Sequence, residues 1–241
     1  MSERENILGR IREALRVPAR KPSASHNGTP PASLKGNGSV DVRPWLPPPG
    51  FTFDEHLALF RKNATDLKAE FHTVANRDEL KTVLLRLRDA EGWKKMGFHH
   101  TELTGFAVES LALPVCRTDQ GYEVRDLESC SAGISECDAL VAQTGSVLIT
   151  SRSAGGRALS VLPPHHVVLA RHDQLLGDLP DALELLKKKY GSTAEASKAP
   201  PTYPSFVSFI TGPSRTGDIE RILVLGAHGP RKLTILFLLG E

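Results

Sequence analysis

Cysteine is scarce in this 241-residue chain: Cys116, Cys130 and Cys137 are the only three, and they form no repeated pair. An odd and sparse count excludes a disulfide scaffold, and the spacing matches no zinc pattern. Three scattered thiols also fall short of the four that usually hold an iron–sulfur cluster. Long apolar runs are missing too, since none approaches the roughly 20 residues of a bilayer span. The opening residues Met1-Ser2-Glu3-Arg4-Glu5 are charged and no apolar segment follows them, so the expected location is cytoplasmic. A strongly basic face is likewise wanting. The net charge is only +2, and residues 1–50 carry eight Lys/Arg against four acids, which leaves the remainder mildly acidic. That balance argues against a nucleic-acid partner. What is present is ordinary globular composition, 40% hydrophobic and 24% charged. A domain of this size buries roughly 70% of its unfolded surface without staples.

Three segments follow in order. Residues 1–17 read as an amphipathic helix: Ser2 and Glu5 have capping-box spacing, and Ile7, Leu8, Ile11, Ala14 and Leu15 form one apolar stripe. Residues 18–50 are rich in Pro, Gly, Ser and Asn and end in Pro47-Pro48-Pro49-Gly50, the composition of a linker. Residues 51–241 alternate helical and strand patterns. Helices are expected over 54–69, 77–90, 102–111 and 180–190. Strands are expected over 71–74, 93–98, 114–117, 138–142, 146–151, 166–171, 206–211, 222–225 and 233–239. Such alternation predicts a layered α/β domain, with a mixed sheet because apolar runs crowd together near the end.

Two stretches concentrate polar loop chemistry. In Thr211-Gly212-Pro213-Ser214-Arg215-Thr216-Gly217-Asp218-Ile219-Glu220, a strand runs into a loop with two glycines, hydroxyls and a cation, before an expected short helix. Glycine permits sharp turns and close backbone approach, and free N–H groups at a helix start favour an anion. Arg215 is suited to gripping a carboxylate or phosphate bidentately. Gly212 and Gly217 have P-loop spacing, but Asp218 and Ile219 stand where Lys and Ser/Thr belong, which excludes a nucleotide triphosphatase. The stretch also lacks the second glycine of a serine elbow. Gly226-Ala227-His228-Gly229-Pro230 places His228, an acid/base or donor side chain, between two strands and toward the first loop. A capped strand–helix corner and a structural histidine are the plain alternatives for these stretches.

A third stretch, Asp138-Ala139-Leu140-Val141-Ala142-Gln143-Thr144-Gly145-Ser146-Val147, offers the hydroxyls of Thr144 and Ser146 at a hairpin turn or bulge. From the residues alone, simple turn chemistry is the favoured reading of this stretch. The adjacent pairs His99-His100 and His165-His166 point to opposite strand faces and make no ligand pair by themselves.

Taken together, these stretches resemble the lactate utilization protein C family, a branch of the lactate-utilization (LUD) domain proteins. The matching residues are those from Asp138 to Ser146, Leu159-Ser160-Val161-Leu162-Pro163 with His166, the Thr211 to Glu220 stretch and Gly226 to Pro230. Gln143 and Ser146 stand where the family has Glu and Thr. The resemblance implies a three-layer α/β fold with helices on both faces of a mixed sheet, similar to the NagB/RpiA/CoA-transferase group. It implies a cluster-free subunit in the oxidation of L-lactate to pyruvate, with partner proteins carrying the iron–sulfur clusters and a small carboxylate as ligand. Ligand-binding candidates are Thr144, Gly145, Ser146, Gly212, Ser214, Arg215, Thr216, Asp218, Glu220 and Gly229, with His228 and Arg215 the candidates for catalysis. The alternative is a stand-alone enzyme acting on a small carboxylate or acyl compound.

Overall fold

The computed structural model describes residues 48–191, 203–216, 224–226 and 228–240. The helix expected over 1–17 and nearly all of the linker expected over 18–50 lie outside them.

Helix α1 (Phe53–Asp66) opens with a capping box between Thr52 and Glu55. It leads through β1 (Glu70–Val74) to α2 (Arg77–Glu91), which Asn76 caps and Gly92 ends at φ 62°. Then follow β2 (Met96–Phe98), α3 (Glu102–Leu111), β3 (Val115–Arg117), α4 (Val124–Glu128) and β4 (Ala132–Glu136). Next come the hairpin β5 (Ala139–Val141) and β6 (Ser146–Thr150), β7 (His165–Arg171), β8 (Leu175–Leu176) and α5 (Leu179–Tyr190). The last elements are β9 (Val207–Ile210), β10 (Arg215–Thr216), β11 (Val224–Leu225) and β12 (Lys232–Leu238).

Six strands form a parallel sheet in the order β1-β12-β7-β4-β2-β3. A second sheet, β8-β5-β6-β9, contains the antiparallel pairs β5/β6 and β6/β9. A separate two-stranded sheet pairs β10 with β11 antiparallel. The α/β class is therefore as expected, with the antiparallel pairing kept out of the six-stranded parallel sheet. Helices α2 and α3 cover one face of the parallel sheet through Leu80, Leu84, Leu103 and Leu111. On its other face lie α1 and the second sheet, through Phe60, Leu140, Val147 and Ile149 packed with Val168, Ile235 and Phe237. Helix α5 closes the outside of the second sheet with Ala182 and Leu186.

Strand β4 escapes pattern reading. Its residues Ala-Gly-Ile-Ser-Glu are all buried, yet only Ile134 is β-branched and apolar. A Cβ on Gly133 would lie 2.7 Å from the carbonyl oxygen of Leu159, so the chain crossing that face demands glycine.

The β5/β6 turn is pinned to α1. Asn63 Nδ2 donates to the carbonyls of Ala142 at 2.9 Å and Gln143 at 3.0 Å. Gly145 sits at φ 63°, and a Cβ there would come within 2.7 Å of the Ala64 nitrogen. Both the left-handed backbone and the clash oppose a side chain. Gly145→Ala is therefore expected to lower unfolding stability by about 2–4 kcal/mol; urea denaturation checks it, and an unchanged midpoint would refute the pinning.

Candidate functional site

Strand β9 delivers Thr211-Gly212-Pro213-Ser214 to the margin between the sheets. Gly212 adopts φ 86°, and a Cβ there would come within 2.5 Å of the Leu67 carbonyl oxygen, so the turn requires glycine. The Ser214 N–H donates to the Pro230 carbonyl at 2.9 Å, and the Gly226 N–H donates to the Ser214 carbonyl at 2.9 Å. These bonds join the two stretches that sequence spacing had paired. Ser146 Oγ lies 2.9 Å from Thr211 Oγ1, linking the hairpin to the same loop.

Together the stretches wall a cavity of about 350 Å³, within the range usual for small-molecule sites. Gly212, Ser214, His228 and Gly229 all line it. So do Arg157, Ser160 and His166, from the 151–164 connection and the start of β7. Apolar walls come from Val161, Phe206, Ile210 and Leu233. Arg157 and His228 are exposed at the rim, whereas His166 is buried, 1% exposed.

The remaining candidates are either absent from the cavity lining or outside the described residues. Arg215 is exposed in β10, which pairs antiparallel with β11, so a short strand stands where a loop was expected. It is not in the cavity lining itself, but its Nη2 lies 3.4 Å from where a Cβ on the cavity-lining Gly212 would be. Thr216 belongs to the same two-residue strand. Gly217, Asp218 and Glu220, with the expected helix start, lie outside the described residues. Thr144 and Gly145 also stay out of the cavity lining, and Gly145 packs against α1. Arg157 went unnoticed in the sequence because it lies in a Ser-Ala-Gly-Gly connection with no strand or helix pattern to place it.

His166 is held from behind. Its Nε2 lies 2.9 Å from the buried Ser135 Oγ, while Nδ1 has no partner among the described residues. Burial drives its pKa down to about 3, so the ring is neutral. Its neighbour His165 faces the opposite side of β7, with Nε2 2.8 Å from Thr234 Oγ1, and burial lowers its pKa as well. A second buried polar group anchors α5. Burial opposes the charge on Asp138, yet donation from Lys189 and Tyr190, each at 2.7 Å, outweighs it and holds the carboxyl below its ordinary value. The three cysteines are buried and unpaired, Cys116 and Cys130 in one apolar cluster and Cys137 in another, so they are not gathered as a ligand set. Among the described residues no group of three or more His, Cys, Asp or Glu is placed to hold a metal ion, and no helix is long and apolar enough to cross a membrane.

The fold and this cavity define an α/β domain of a known class. The LUD domain family model matches residues 57–238, most of the chain, and the protein belongs to that family. A lactate utilization protein C of Shouchella clausii is 26% identical over 185 residues, covering 74% of this chain and 77% of the relative. An uncharacterized protein of Neisseria meningitidis is 26% identical over 241 residues, covering 100% and 95%. A crystal structure of a DUF162 family protein from Deinococcus radiodurans superposes with a TM-score of 0.55 at 18% identity. It covers 78% of this chain and 99% of that one, and it supports the fold alone.

A neutral buried imidazole must take up a proton when the chain unfolds in acid. The unfolded ring binds a proton below about pH 6.5 and the folded one only near pH 3, so His166 favours folding above that window and progressively less as pH falls through it. Acid titration of unfolding should therefore show about one proton fewer taken up around pH 4–5 in His166→Phe than in the parent; equal uptake would contradict the neutral ring.

Proposed function

We propose that this chain serves lactate utilization by binding a small carboxylate in the cavity between residues 211–214 and 228–230. The observation that carries this reading is the cavity itself: an apolar chamber with hydroxyls in its wall and Arg157 and His228 at its rim. A guanidinium at the mouth of such a site attracts a carboxylate and binds it bidentately. The name carried by the Shouchella relative, lactate utilization protein C, supplies the pathway. Oxidation of lactate to pyruvate releases two electrons and two protons. Cys116, Cys130 and Cys137 sit in two separate apolar clusters, a poor set of cluster ligands. The electrons are accordingly assigned to partner proteins carrying iron–sulfur clusters, in the cytoplasm, with this chain the cofactor-free subunit.

The cation of the binding role is placed at Arg157, which lines the cavity, whereas Arg215 reaches only as far as Gly212 in its wall. Thermal unfolding with a panel of monocarboxylates, lactate and pyruvate included, and with phosphate tests it. A ligand at 100 times its dissociation constant adds about 2.7 kcal/mol, or roughly 5–10 °C for a domain of this size. At least one carboxylate should give such a shift, and Arg157→Gln should abolish it while Arg215→Ala leaves it intact. Absence of stabilisation by every carboxylate would overturn the reading. Turnover of a carboxylate or acyl thioester by the purified chain alone would favour a stand-alone enzyme instead.

A further inference from the structure

The cavity offers two kinds of polar group at two depths. At the rim stand Arg157 and His228, both exposed. On the buried side stands His166, with Ser135 fixing Nε2 at 2.9 Å. Of the described buried side-chain polar atoms without a partner, His166 Nδ1 is the one carried by a residue lining this cavity. A buried polar atom left unpaired costs stability, so each calls for a reason, and a ligand is one where the residue lines a cavity. His165 also leaves Nδ1 without a partner, but it turns to the other face of β7, stacks edge-on against Trp93 and does not line this cavity.

Size adds a second constraint. About 350 Å³ has room for roughly a dozen water-sized groups, about twice what a three-carbon acid fills. Val161, Phe206, Ile210 and Leu233 supply apolar wall around the surplus space. Lactate would leave that wall in contact with water.

Resting on the carboxylate reading above, we infer that His166 is a specificity-determining residue of this cavity, and that the preferred ligand is a hydroxy acid whose hydroxyl is separated from its carboxylate by an apolar body. The carboxylate sits at the rim on Arg157, the methylene body lies against the apolar wall, and the distal hydroxyl meets His166. A hydroxyl suits either tautomer of the ring, because it both donates and accepts. A charged group at that depth would lose its hydration without a counter-charge. Ser135 is a positioning residue that holds the ring through Nε2.

Isothermal titration of the full chain with lactate, hexanoate, 2-hydroxyhexanoate and 6-hydroxyhexanoate tests this. Each buried methylene adds about fourfold in affinity, so hexanoate should bind at least tenfold more tightly than lactate. The terminal hydroxyl should add a further threefold to tenfold, and the 2-hydroxyl none. His166→Phe should erase the preference for 6-hydroxyhexanoate over hexanoate while retaining hexanoate binding. Ser135→Ala should reduce that preference and serves as the readout if the phenylalanine variant does not fold. Arg157→Gln should weaken all the acids alike. Lactate binding as tightly as the six-carbon acids, or a hydroxyl preference that survives both substitutions, would overturn the inference and leave the carboxylate reading standing. Failure of every acid to bind would overturn both.

Discussion

Strand β7 is buried on both faces, and that double burial organises the molecule. It pairs in parallel with β12 along its whole length on one side and with β4 over His166–Leu169 on the other. Its side chains then alternate between two separate interiors: Val167 and Leu169 enter the core under α2 and α3, whereas Val168 and Ala170 enter the core beneath the second sheet. A slip of one residue would exchange the two sets. The same alternation sends His165 toward Trp93 and His166 toward the cavity. Adjacent histidines thus acquire unrelated surroundings from strand geometry alone.

The second sheet turns a buried strand into the wall of a site. Its β6 pairs with β9, and β9 hands the chain directly to the Gly212 turn. Ser146 and Thr211 join their hydroxyls where those strands end, and Ser214 is tied to Pro230 just before β12 begins. Chemistry at this margin therefore comes from loops whose ends are fixed by both sheets, an arrangement that pre-positions donors before a ligand arrives. Helix α5 steadies the outer side through the Asp138–Lys189 pair, whose carboxylate is wholly buried. Removing Lys189 would leave that charge exposed to a low-dielectric interior, the circumstance in which ion pairs matter most.

Much of this was readable beforehand. Strong periodicity placed the helix Glu102–Leu111 and the strands at the chain's end, and glycine spacing singled out both loops of the cavity. The failures share a cause: the deciding contacts are long-range. Ala132–Glu136 reads as no strand because its burial comes from neighbours on both sides, not from β-branched content. Arg215 read as a loop residue, yet pairing with β11 set its backbone in a short strand, with its guanidinium beside Gly212 of the cavity wall. Arg157 and His166 reach the cavity only after the 151–164 connection folds across the parallel sheet, where Leu159 meets Gly133. His166 had a clue in its place beside the Leu159-Ser160-Val161-Leu162-Pro163 motif, but sequence could not say which face it would take.

The central claim is that an organic acid occupies the space between the rim histidine and the buried one. Nitrogen-15 NMR of histidine-labelled protein, titrated with hexanoate, addresses it directly. The account predicts that the His166 and His228 ring signals move together and saturate at one dissociation constant, with His99 and His172 unmoved. Saturable binding that leaves both His166 and His228 unchanged would place the ligand elsewhere and contradict it.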